Sequence, residues 1–140
     1  VSLRVAAYCI IIEDGRILLS HWSERGSDGW TLPGGGLEPY EDPRDAAVRE
    51  VFEETGYRAE LDELLGIDSH IVPTEQRLAD VNEPLQALRI IYRAHVTGGE
   101  LTNEIDGSTD EARWIQLDEV AALKRVGLVE VGMRMAGVEL

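Results

Sequence analysis

Apolar and acidic positions separate most sharply over residues 43–54. Turned at about 100° per residue, this stretch puts Ala47, Val48, Val51 and Phe52 on one side. Glu50, Glu53 and Glu54 fall on the other, at spacings where side chains are neighbours. The boundaries agree with a helix. Asp42 suits an N-cap, Pro43 a first helical position, and Asp45 the positive end of the helix dipole. Gly56 suits a left-handed stop.

Elsewhere the pattern predicts strands. Residues 1–12 read as one long strand, followed by a tight turn at Glu13-Asp14-Gly15-Arg16 and a returning strand at 17–19. Residues 21–29 are polar and read as a loop, and 30–32 as a short strand with Trp30 in the core. Strands are predicted at 57–65, at 67–72 beyond Gly66 (a second short strand or the first continued past a bend), at 85–96 and at 110–115. Polar loops are predicted at 73–84 and 101–109, with a turn at 97–100. Asp118 is expected to cap a short helix over 119–124, and 128–136 to form a last helix weakened by Gly127 and Gly132. Short connections between neighbouring strands predict a mixed sheet in an α/β (α+β) fold.

Length and charge narrow the function. The 140 residues fit one domain spanning 1–140. A net charge of −14 argues against a nucleic acid polymer as partner, since that needs a basic stripe. No apolar run is long enough for a transmembrane helix, so no membrane partner is expected. The one cysteine, Cys9, lies in an apolar run; it reads as a buried small hydrophobe, and a reducing cytoplasm is the compartment it suggests. His21, His70 and His95 are scattered, with no zinc-type spacing.

The acidic side of the helix carries the candidate chemistry. Three carboxylates with no interleaved lysine repel one another. A solvated acidic surface is one reading. A bound hard cation, Mg²⁺ or Mn²⁺, is the other, because both prefer oxygen ligands. Spacing bears on that choice. Gly35, five residues, Glu41, seven residues, Arg49-Glu50-Val51-Phe52-Glu53-Glu54, Thr55 and Gly56 resemble the Nudix hydrolase box at each specified position. Tyr57 stands where the family more often has Ile, Leu or Val, and still supplies an apolar body.

The resemblance implies a curved mixed β-sheet sandwiched between helices. It implies Mg²⁺-dependent (or Mn²⁺-dependent) hydrolysis of a small nucleotide substrate, a nucleoside diphosphate linked to another group, by water attack on phosphorus. Glu50, Glu53 and Glu54 match the metal-binding glutamates, and the Gly34 carbonyl matches a further ligand position. Glu41 and Arg49 match the pair that braces the loop against the helix. The general base is Glu50 or a later acid; Glu111, before Trp114, is the leading later candidate as base or accessory ligand, and Glu104 the next. Nucleoside triphosphates and ADP-ribose or nucleotide sugars both remain open as substrates, Pro73 resembling a feature of the ADP-ribose branch. Family members often form homodimers. The alternative is a non-catalytic module that senses a nucleotide without cleaving it, against which stands the full set of box acids.

Overall fold

The alternation of β1 organises the molecule. In the computed structural model, which describes residues 1–77, 81–104, 107 and 109–140, β1 spans Ser2–Ile10. Ala7, Cys9 and the following Ile11 pack on one side with Ala46, Ala47 and Val51 of helix α1 (Pro43–Thr55). Ala6, Tyr8 and Ile10 pack on the other with Leu128, Val129 and Met133 of helix α2 (Gly127–Met135). Successive strand side chains point to opposite faces, so the two helices lie on opposite faces of the sheet that contains β1. This is the sandwich the family resemblance implies.

The remaining strands are β2 (Ile12–Glu13), β3 (Arg16–Glu24), β4 (Ser27–Thr31), β5 (Gly34–Gly36), β6 (Tyr57–Val72), β7 (Leu85–Gly99) and β8 (Thr109–Gln116). They form two four-stranded sheets. One has the order β5-β1-β7-β6; in the other β3 is central, with β2 and β4 along one edge and β8 paired as well. β1 and β7 run parallel and the other pairings are antiparallel, so the first sheet is mixed, as expected. Three register shifts interrupt the β6–β7 ladder, one between Leu64 and Gly66. Such bulges bend a strand without ending it, so of the two readings at Gly66 the one that forms is a single strand continued past a bend.

Several expectations are corrected. Residues 21–29 are not a loop: β3 and β4 form a hairpin with Trp22 opposite Gly29 and Glu24 opposite Ser27. Its turn is Arg25-Gly26, both at positive φ (50° and 83°). The predicted turn at 97–100 is mostly strand, with Tyr57 opposite Gly99. Gly99 is needed for approach: a Cβ there would lie 2.3 Å from the Gly56 carbonyl. After β8 the chain makes a 3₁₀ turn over Leu117–Ala122, and Asp118 does not cap it. A second 3₁₀ turn, Thr74–Gln76, interrupts the predicted loop at 73–84. The parts of the loop predictions that fall on 78–80, 105, 106 and 108, Asp80 and Asp106 among them, lie outside the described residues.

The last helix forms where predicted, and Gly132 explains itself. A Cβ there would sit 2.6 Å from Leu32 Cδ1 and 3.0 Å from Ile10 Cδ1. The glycine that lowers helix propensity lets α2 press onto the sheet. Cys9 is fully buried, and burial pushes its thiol up to about 12, with Glu54 adding to the shift. Trp30 packs partly buried against the α2-side core, and Arg113 lies over its ring at 5.6 Å.

Candidate active site

Helix α1 starts and stops where its sequence says. The Asp42 carboxylate accepts from the Arg44 N–H at 2.8 Å, Pro43 opens the helix, and Gly56 closes it at φ 81°. Thr55 secures the exit by donating to the Val51 carbonyl (2.6 Å) and accepting from the Tyr57 N–H (3.1 Å). The next strand begins with Tyr57, whose hydroxyl accepts from Trp114 Nε1 at 2.9 Å.

The buried face of α1 is rotated from the expected one. Ala46, Ala47, Val51, Glu54 and Thr55 are buried, while Phe52 is 49% exposed under the Arg58 guanidinium. Glu54, expected beside Glu50 and Glu53 on the polar face, is 3% exposed. The reason lies twenty positions back. The Gly34 N–H donates to Glu54 Oε2 at 2.8 Å. A glycine-built β5 brings its backbone onto the helix and supplies the donor that makes a buried carboxylate tolerable. The approach is close: a Cβ on Gly35 would lie 2.8 Å from the Glu50 carboxyl.

Glu41 and Arg49 lock this loop to the helix. Arg49 holds Glu41 through both carboxylate oxygens (2.8 and 2.9 Å) and also donates to the Gly36 carbonyl at 3.2 Å. The Glu38 N–H adds a bond to Glu41 at 3.0 Å. Arg49 and then that amide bring the Glu41 carboxyl down to about 2. From its other nitrogen Arg49 reaches Glu50 (3.0 Å) and Glu53 (3.1 Å). The planar five-donor guanidinium is the side chain suited to such bridging.

The electrostatics of the three glutamates differ. Burial raises the proton affinity of Glu50 against the pull of Arg49. Burial raises Glu54 well above the ordinary carboxyl value; the Gly34 bond opposes this, while the charges of Glu50 and Glu104 add to it. The Glu50 and Glu54 carboxyls act on each other electrostatically. Glu53 is 45% exposed. Among the described residues no group of three acidic, histidine or cysteine side chains is drawn together tightly enough to enclose an ion, and Arg49 pairs with both Glu50 and Glu53.

A hard divalent cation fits this donor set. Glu54 has a buried carboxylate with no cation in ion-pair contact among the described residues, Glu50 faces it, and both offer only oxygen. A cation would offset the burial that chiefly raises Glu54 and the like-charge repulsion that adds to it.

The two later acids lie in different surroundings. On β8, Trp114 packs toward the α1-side core and Ile115 toward the α2-side core. By alternation Glu111 and Arg113 share the Ile115 face, where Arg113 pairs with Glu111 and lies over Trp30. Glu111 therefore points away from the α1 glutamates. Glu104 is the later acid whose charge acts on Glu54, and its carboxylate accepts from the Thr109 hydroxyl at 2.5 Å. Its sequence signal was weak, because Glu104 lies in an irregular stretch while Glu111 precedes a tryptophan-bearing strand.

Known proteins share this architecture. A model of the NUDIX domain matches residues 2–131. The chain belongs to the Nudix family. Diphosphoinositol polyphosphate phosphohydrolase 2 of Mus musculus is 48% identical over 64 residues, which are 46% of this Nudix chain and 36% of that protein. The MutT-like protein of Streptomyces ambofaciens is 32% identical over 112 residues, 80% of this chain and 62% of that one. The Nudix chain thus spans 36% to 62% of the length of these relatives. Among solved structures, a NUDIX hydrolase from Nitrosomonas europaea has a TM-score of 0.81 at 26% identity, covering 97% of this chain and 89% of that one. Among the described residues no helix is long and apolar enough to cross a membrane.

Proposed function

We propose that this chain hydrolyses a phosphoric anhydride bond in a small, phosphate-rich, nucleotide-type substrate, with Mg²⁺ or Mn²⁺ as the cofactor. The observation that carries the reading is the buried Glu54 carboxylate, held by the Gly34 amide against Glu50 at the junction of the glycine strand and α1. Glu50, Glu53, Glu54 and the Gly34 carbonyl would hold the cation. Bound there, a divalent ion supplies charge neutralisation and Lewis acidity at the phosphorus.

The chain's own residues do the rest. Arg49 and Glu41 fix the glycine strand relative to the helix, so the ligand groups keep their spacing. Glu50, with raised proton affinity, accepts the proton from the attacking water. Glu104 replaces Glu111 as the acid that supports this site from the later loop. The same reading places the protein in the cytoplasm, on its buried lone cysteine, and treats the chain as one domain. Pairing into a homodimer rests on family membership alone.

The test is a Mg²⁺-dependent hydrolysis screen with Glu53→Gln alongside. It covers nucleoside triphosphates, ADP-ribose, nucleotide sugars and dinucleoside polyphosphates. Diphosphoinositol polyphosphates are included because a relative's name points to them. Turnover of one class, reduced by orders of magnitude in the variant while the fold is retained, supports the enzyme. Near-normal turnover in Glu53→Gln removes that residue from the metal set. Retained nucleotide binding without turnover favours a sensing module.

A further inference from the structure

The two halves of β6 differ along their outer edge. β6 ends the order β5-β1-β7-β6, so among the described residues no strand pairs with its far side. Alternate residues of such an edge turn an N–H and a C=O outward, a template for another strand. The first half is guarded. The three register shifts fall between Arg58 and Gly66, and Arg58, Glu60, Asp62 and Glu63 are exposed there. Bulges and charges of this kind keep an edge from pairing. Residues 66–72 carry no bulge and no lysine: the ladder to β7 runs unbroken from Gly66 to Val72, and Pro73 follows.

The side chains of this open stretch complement themselves. Ile67 and Ile71 are 59% and 52% exposed, on the face of their β7 neighbours Ile90 and Gln86. Asp68 and His70 take the opposite face. Arg89 donates to Asp68 Oδ2 at 2.9 Å, which leaves Oδ1 for a second donor. His70 is exposed and has no partner among the described residues. A second copy added antiparallel about a two-fold axis at Ser69 sets Ile67 against its Ile71 and Asp68 against its His70, each contact occurring twice. Moving the axis to Asp68 or His70 sets that side chain against itself and isoleucine against serine. Moving it to Ile67 or Ile71 runs the pairing into the bulge or into Pro73. Ser69 is also the midpoint of the unbroken stretch.

We propose that residues 66–72 of β6 are the interface of a homodimer, two copies joining edge to edge about an axis at Ser69. The occupant is a second copy because only this register opposes unlike charges and joins the two isoleucines on one face. The pairing is also specific against a net charge of −14 per chain, which drives copies apart wherever such complementarity is lacking. Family membership suggests pairing but names no surface, and nothing in the proposal depends on hydrolysis.

The experiment measures the mass of wild type, His70→Asp and His70→Lys by sedimentation across a concentration series, with thermal melts as the folding control. Wild type is expected to be a dimer. His70→Asp sets acid against acid at two places and should weaken association about tenfold or more, whereas His70→Lys keeps it. A wild type that stays monomeric, or a dimer that His70→Asp leaves unchanged, overturns the proposal. Register is read by cross-linking with a mild oxidant. Opposed Cα atoms in an antiparallel pair lie about 4.5–5.5 Å apart, within disulfide reach, and the native Cys9 is fully buried. Ser69→Cys should therefore link the two chains, while Ile67→Cys, which faces Ile71 and not itself, should not. No link in Ser69→Cys, or equal linking in both variants, overturns the axis at Ser69 whatever the hydrolysis screen returns.

Discussion

Helices α1 and α2 cover the same sheet from opposite sides and do so with different materials. α2 buries Leu128, Val129 and Met133 and uses Gly132 to sit close. α1 buries two alanines, a valine, a threonine and a carboxylic acid. Large apolar side chains bury more area and contribute more to folding. The difference therefore divides labour: α2 anchors the sheet, whereas α1 gives up packing to hold an acid where a hard cation would fit. A buried carboxylate with another beside it costs stability in the metal-free protein.

Four perturbations probe that division, the strongest first. Glu54→Gln keeps the shape and can still accept from the Gly34 amide, but removes the charge. Turnover is expected to fall by roughly three orders of magnitude, the loss of several kcal/mol of charge stabilisation. The metal-free variant is expected to melt no lower than wild type, checked by calorimetry in chelator. A marked drop in Tm would mean that Glu54 serves the fold first. Next, Met133→Ala should destabilise by about 2–5 kcal/mol, read from denaturant titration, while kcat per folded molecule stays put. If kcat collapses as well, the two sides are coupled through the sheet.

Arg49→Lys is a subtler cut. Lysine cannot hold both Glu41 oxygens and the Gly36 carbonyl together, so activity should drop about 10- to 100-fold with little change in Tm. The smallest effect is a slope. Glu54 binds its proton more tightly folded than unfolded, and Glu50 shifts the same way. Folding then takes up protons, and stability falls as pH rises from the unfolded carboxyl value of 4.5 through the raised folded one. Melts in chelator from pH 5 upward should show this decline, flattened in Glu54→Gln and opposed by added Mg²⁺.

The sequence made α1 legible because its ends are marked by local chemistry at Asp42, Pro43 and Gly56. It made the box legible because fixed spacing needs no tertiary information. It hid the β3–β4 hairpin, since His21, Ser23 and Glu24 lack the apolar alternation that marks a half-buried strand. His21 instead takes polar partners: burial works against its charge, yet the carboxylates of Asp110 and Asp28 raise its proton affinity. Periodicity also put Glu54 on the polar face with Glu50 and Glu53 and did not show its burial, because the amide that pairs with it belongs to Gly34, in another element. The different placement of Glu104 and Glu111 was hidden for a related reason. Which face of β8 carries Glu111 depends on its pairing with β3, and no local motif announces that register.

The alternation of β1 has a genetic consequence. Ala6, Tyr8 and Ile10 serve one helix while Ala7 and Cys9 serve the other. A single codon inserted within this strand would exchange the two sets, presenting Tyr8 to the helix shaped for alanine and cysteine. Both layers would lose their fit in one event. The Arg25-Gly26 turn, exposed and outside both clusters, is where added codons are absorbed. Tolerance of insertions along this gene should therefore be a map of where one strand serves two masters.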